Sequence, residues 1–145
     1  MKKLAIIAAI VALAFGDVLP QNFGNCEAIT KFTNQNPPIP LKSEYKEVKK
    51  YTCQNETIYL AIEDKVPGFL KIKENTETKD FLIKHCVIKN HKAATYVDKK
   101  EKKGVIAIEL NNGKTLLLLF NGTDFLKYVT YLHDLNLDEI ENSFS

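Results

Sequence analysis

The feature that most restricts the fold of this chain is a series of short segments with two-residue periodicity over 57–120, broken repeatedly by turn residues. Alternation sends successive side chains to opposite faces of a strand. Over 57–63, Ile58, Leu60 and Ile62 point one way while Thr57, Tyr59, Ala61 and Glu63 point the other. Pro67-Gly68 is a turn, and 69–73 alternates again, with Leu70 and Ile72 opposed by Lys71 and Lys73. A longer strand is expected over 81–89, with Phe81, Ile83 and Val87 on one face and Leu82, Cys86 and Ile88 on the other. Further strands are expected over 93–98, 105–110 and 115–120, and a weaker one over 45–53. The charged stretch 99–104 reads as a solvated hairpin tip, and Asn112-Gly113 is the strongest hairpin signal, since both residues tolerate positive φ. Short connections favour antiparallel pairing of neighbours. The expectation is a mainly β domain: an antiparallel up-and-down meander or barrel of about seven to eight strands that curls to hide its apolar face and edges.

The period changes after residue 122. Phe125, Tyr128, Val129, Leu132 and Leu135 form one apolar stripe at helical spacing, with Thr123 or Asp124 as the cap. One amphipathic helix over 123–135 is expected to pack on the sheet, followed by an acidic, polar tail over 137–145. Upstream, 17–43 reads as an irregular arm. Pro37, Pro38 and Pro40 remove backbone donors there, and 26–32 supplies one helical turn or a strand. The β-rich domain with its helix is expected over 44–136.

The first residues speak to destination. Lys2 and Lys3 precede an unbroken apolar run over 4–15, and Ala14-Phe15-Gly16 offers small residues where a signal peptidase reads. This is the layout of a secretory signal peptide over 1–16. The run is shorter than the roughly 18 apolar residues of a membrane span. An exported, soluble protein beginning near Asp17 is expected. Removing Lys2 and Lys3 from the 20 basic residues leaves 18, equal to the 18 acidic ones. Every basic residue is Lys, and a neutral chain without Arg argues against a nucleic-acid partner.

In an oxidising compartment Cys26, Cys53 and Cys86 are expected to give one disulfide and one leftover thiol, with three pairings open. The odd cysteine is either buried, reactive or the link in a disulfide-bonded dimer. Asn55-Glu56-Thr57 and Asn121-Gly122-Thr123 are N-glycosylation sequons beside turn signals, which suits a secreted glycoprotein.

No catalytic constellation stands out, and no enzyme activity or cofactor is expected. His85-Cys86 and His91 are too loosely spaced for a zinc centre, so no metal site is expected. His85 cannot serve Cys86 as a base, because adjacent strand residues face opposite ways.

An exported chain of this length, with strands over 57–120 and a helix over 123–135, resembles a lipocalin or related calycin barrel. It lacks the Gly-x-Trp of the first strand, as divergent arthropod salivary members do. The resemblance implies a closed barrel wide enough for one small ligand. The expected cavity liners are Ile58, Leu60 and Ile62, then Leu70, Ile72, Phe81 and Ile83, then Ile106, Ile108 and Leu110, with His85 as a polar anchor. The function that follows is a secreted binding protein that carries or sequesters a small apolar or amphipathic ligand. The alternative is a secreted effector or inhibitor of the venom or salivary type, acting through surface contacts with another protein. A cystatin-like α+β fold ranks third, since its helix usually precedes the strands.

Overall fold

A computed structural model describes residues 18–31 and 45–143. The expected signal peptide and the proline-rich connector lie outside the described residues. Two tight turns set much of the register. Gln54 and Asn55 join β3 (Tyr45–Cys53) to β4 (Glu56–Glu63), and Lys89 and Asn90 join β6 (Phe81–Ile88) to β7 (His91–Asp98). All four turn residues have positive φ, the conformation whose twist matches the flanking strands in a two-residue hairpin. β8 (Lys103–Glu109) and β9 (Thr115–Asn121) are joined through a 3-10 turn at Asn111–Gly113, where the Asn-Gly signal lies. Two-residue strands, β1 (Asn22–Phe23) and β5 (Thr76–Glu77), form the outer edges, and β2 (Cys26–Lys31) lies beside β1.

The nine strands make one sheet of antiparallel pairs in the order β1-β2-β3-β4-β9-β8-β7-β6-β5. The sheet is not closed into a barrel. The uninterrupted up-and-down order expected from the sequence fails at one link: β4 pairs with β9, and β6 lies four places from β4. Residues 64–80 carry the chain across one face. At their centre is a single helical turn, α1 (Gly68–Lys71), where the alternation over 69–73 suggested a strand. Small side chains explain the route. Val48, Ala61, Leu117, Ala107 and Ala94 stand in one row across β3, β4, β9, β8 and β7, and all are buried with Leu70 of α1. Three alanines leave a shallow trough that Leu70, 0% exposed, fills.

The opposite, inner face carries the main core. Ile58, Leu60 and Ile62 of β4, Ile106 and Ile108 of β8, and Leu116, Leu118 and Phe120 of β9 are buried there. They are covered by α2 (Leu126–Leu132) and α3 (Leu137–Asn142), which contribute Tyr128, Leu132, Leu137 and Ile140, with Leu135 between them. The expected single helix therefore ends sooner than 135, and Phe125 occupies its N-cap without a side-chain bond. The stretch expected to be a polar tail contains a second helix. Asn136 caps it by accepting from the Glu139 N–H at 3.1 Å, Asp138 and Glu139 favour its first turn, and Leu137 and Ile140 bury its apolar side.

Residues 22–31, expected within an irregular arm, hold β1 and β2. Cys26 and Cys53 are directly opposite in the β2–β3 register, with Cα atoms 4.1 Å apart, and form a buried disulfide. In the loop-closure model a cross-link of this sequence separation, 27, stabilises by about 3–4 kcal/mol. The segment before β1 is pinned by β3. Glu47 accepts from the Val18 and Leu19 N–H groups at 2.7 and 2.8 Å, the Lys49 ammonium donates to the Leu19 carbonyl at 2.7 Å, and the Tyr51 hydroxyl donates to the Pro20 carbonyl.

At one end of the sheet Glu56 ties down α2: its carboxylate takes hydrogen bonds from the Lys127 ammonium and the Tyr128 hydroxyl. The Lys127 bond, then the Tyr128 bond, hold the Glu56 carboxyl below its ordinary value against the opposing effect of burial. A carboxyl held lower in the folded state stabilises above its unfolded pKa, and that stability is lost as pH falls through the folded value. Replacement Glu56→Gln is expected to lower stability near neutral pH, with the gap to the unmodified protein closing as pH falls below the ordinary glutamate value of about 4.3 and through the lower folded value. Urea unfolding from neutral pH into the acid range checks it; a constant gap would mean the ionised carboxylate is not what holds α2.

Gly104 makes a second prediction. A Cβ there would lie 2.5 Å from the Phe120 ring and 2.8 Å from the Tyr96 carbonyl, because the ring lies over the bare backbone. Gly104→Ala should therefore cost about 1–3 kcal/mol by overpacking, readable as a lower urea midpoint at unchanged slope.

Candidate functional site

The residues expected to line one cavity fall on both sides of the sheet. Ile58, Leu60, Ile62, Ile106 and Ile108 are 0% exposed and Leu110 is 4% exposed, all on the inner face beneath α2 and α3. Leu70 is buried on the outer face as part of α1, not of a strand. Ile72, just past α1, is 47% exposed. Ile83 and Phe81 also face outward, opposite Tyr96 and Asp98, and the Phe81 ring stacks on Tyr96 at 5.8 Å between centroids. The sheet separates the two sets.

His85 stands opposite Ala94 and so ends the outer row that begins at Val48. Its backbone N–H donates to the Asn75 side-chain oxygen at 2.8 Å, and ring Nδ1 approaches the same oxygen at 3.1 Å. That oxygen is an acceptor, which places the ring proton on Nδ1 and leaves Nε2 as an acceptor. Nε2 is buried and has no hydrogen-bond partner among the described residues. His85 is therefore a polar side chain on the outer face rather than a polar anchor inside the core.

Cys86 points to the inner face opposite Ala93 and is half-buried against the core. Burial pushes its thiol up from the ordinary value, which makes it a poor nucleophile and metal ligand. His85 and Cys86 face opposite ways, as their adjacency in a strand requires. The sequon residues Asn55 and Asn121 are both exposed, the first in the β3–β4 turn and the second at the end of β9.

A cluster of polar side chains lies at the end of the sheet where α3 docks. His91 begins β7. Its Nδ1 is 2.8 Å from the Lys89 carbonyl oxygen and its Nε2 is 2.9 Å from Glu141 Oε1. The second Glu141 oxygen accepts from the Asn111 N–H at 2.7 Å. The Lys89 ammonium donates to the Leu135 carbonyl at 2.6 Å and fastens the α2–α3 connection to the same end. Burial works to lower the His91 pKa. The bonds to Glu141 and Lys89, with the charges of Glu141 and Asp138, outweigh it and hold the imidazole above its ordinary value. Among the described residues, His91, Asp138 and Glu141 are the group whose metal-binding atoms gather within 4.8 Å of one another. Sequence spacing gives no sign of this cluster, because His91 and Glu141 are 50 residues apart.

Among the described residues no helix is long and apolar enough to cross a membrane. No protein-family model matches the chain, and neither a curated protein nor a solved structure shows a significant likeness to it.

Proposed function

We propose that the chain is an exported protein that acts through its exterior, by contact with another protein, rather than as a carrier with a ligand inside a lipocalin-like barrel. One observation carries this reading. The apolar strand face that a carrier would present to its guest is packed against the protein's own α2 and α3, and Ile58, Leu60, Ile62, Ile106 and Ile108 are fully buried there. A guest would have to displace Tyr128, Leu132 and Ile140, each at a cost of about 1.5–3 kcal/mol in burial lost. Ile29 of β2 and Val87 of β6, 52% and 65% exposed, put apolar side chains on the exterior, where another protein could cover them.

Export is supported by three features. The N-terminal run has the three-part layout of a signal peptide. The Cys26–Cys53 disulfide suits an oxidising compartment. A cut between Gly16 and Asp17 leaves intact the 18–20 segment that Glu47, Lys49 and Tyr51 hold.

Titration of the purified protein with a fluorescent fatty acid should show no saturable signal that an unlabelled fatty acid displaces. Stoichiometric, displaceable binding would restore the carrier reading. Expression of the full chain in eukaryotic cells should deliver to the medium a product whose first residue is Asp17. Retention in the cell with Met1 still attached would remove the exported reading.

A further inference from the structure

We propose that His91, Asp138 and Glu141 bind a divalent transition-metal ion of the zinc class where α3 docks on the start of β7. The three side chains supply one imidazole nitrogen and two carboxylates, and their ligand atoms all lie within 4.8 Å of one another. Zinc binds imidazole and carboxylate at about 2.0–2.2 Å, so ligand atoms around it sit roughly 3.4 Å apart. Nε2 of His91 and Oε1 of Glu141 are 2.9 Å apart, and a small rotation of either opens room for the ion.

Two further hydrogen bonds already orient these ligands as a metal needs. The Lys89 carbonyl takes the Nδ1 proton of His91 at 2.8 Å, which leaves Nε2 as the ligating atom. The Asn111 N–H holds one Glu141 oxygen at 2.7 Å and turns the other toward His91. Asp138 precedes Glu141 by three residues on α3, so both carboxylates lie on one side of the helix. Its own carboxylate accepts no hydrogen bond among the described residues. The ion pair between His91 and Glu141 is complete without Asp138, and the metal site is not.

On binding, the ion replaces the proton on Nε2, which leaves to solvent, and the two carboxylates balance its double charge. The imidazole selects zinc, nickel, cobalt or copper over magnesium and calcium, which favour oxygen ligands. Three protein ligands leave one position for water. Because β7, α3 and, through Asn111, the β8–β9 link all meet at this point, binding should stabilise the docked C-terminal segment.

The test uses the disulfide-intact protein, stripped of metal with a chelator, at about pH 8, where fewer protons compete with the ion for Nε2 than at lower pH. Zinc chloride alone is added, and both calorimetric affinity and melting temperature are read. The expected result is one ion per chain and a raised melting temperature. Asp138→Asn should bind zinc about tenfold or more weakly than the unmodified protein and gain correspondingly less melting temperature from it, each measured against its own metal-free melt. His91→Gln should lose binding, and Co²⁺ should give a visible absorption band that Asp138→Asn alters. Absence of zinc binding at micromolar concentration would overturn the proposal. So would binding of equal strength by Asp138→Asn or His91→Gln, which would place the ion elsewhere.

Discussion

Everything in this structure depends on covering the inner face of the sheet. Leu60, Leu118 and Ile106 stand in one row across β4, β9 and β8, and Ile62, Leu116 and Ile108 in the next. Left open to water, each would forfeit about 1.5–3 kcal/mol. The C-terminal helices supply the cover, and they depend on the sheet in return. α2 has seven residues and α3 has six, both well below the roughly 12–15 residues at which an isolated helix is even marginal in water. Neither layer is stable alone, so sheet and helices should form and melt together.

The same demand for cover shapes the topology. With the inner face taken by the C-terminus, the chain leaving β4 crosses on the outer face. That crossing is possible only where side chains are small. Ala61, Ala107 and Ala94 supply the space and Leu70 the apolar plug. The crossing delivers the chain to the far edge, from which β6, β7, β8 and β9 return strand by strand until β9 meets β4. The sheet is thus assembled from two meanders that join at their inner strands.

Local chemistry made most of the strands legible. Alternation at Ile58, Leu60 and Ile62, and the two faces of β6, describe the sheet as it stands, because one buried face imposes a period of two. Three features were hidden. The segment 69–73 alternates like a strand, yet Pro67 and Gly68 open a helical turn whose single apolar anchor, Leu70, is what matters. The second C-terminal helix was obscured by its acidic residues, although Leu137 and Ile140 at helical spacing and the Asn136–Glu139 cap carry the signal. The pairing of β4 with β9 leaves no local trace, since it is decided by contacts across more than fifty residues. That non-local choice also explains the cavity residues: alternation identifies which side chains share a face within a strand, while only the pairing order shows that His85 and Leu70 lie on the side opposite Ile58. The disulfide, one of three pairings open to the cysteines, follows from the register that sets Cys26 against Cys53.

Apolar burial is non-directional and by itself would let α2 and α3 slide over the inner face. Directed polar bonds remove that freedom at both ends. Glu56, at the start of β4, holds Lys127 and Tyr128 of α2. At the other end of the strands, Lys89 holds the Leu135 carbonyl, and Glu141 is fixed by His91 and Asn111. The two ends are not equivalent. Glu56 meets a permanent cation and a hydroxyl, so its bonds hold across the whole neutral range. Glu141 meets an imidazole, whose charge is conditional, and a second carboxylate, that of Asp138, stands beside it. An excess of negative charge beside a conditional cation raises the energy of the docked helix whenever the imidazole is neutral. A divalent ion on Nε2, as proposed above, would balance that excess charge at the point where α3 meets the start of β7.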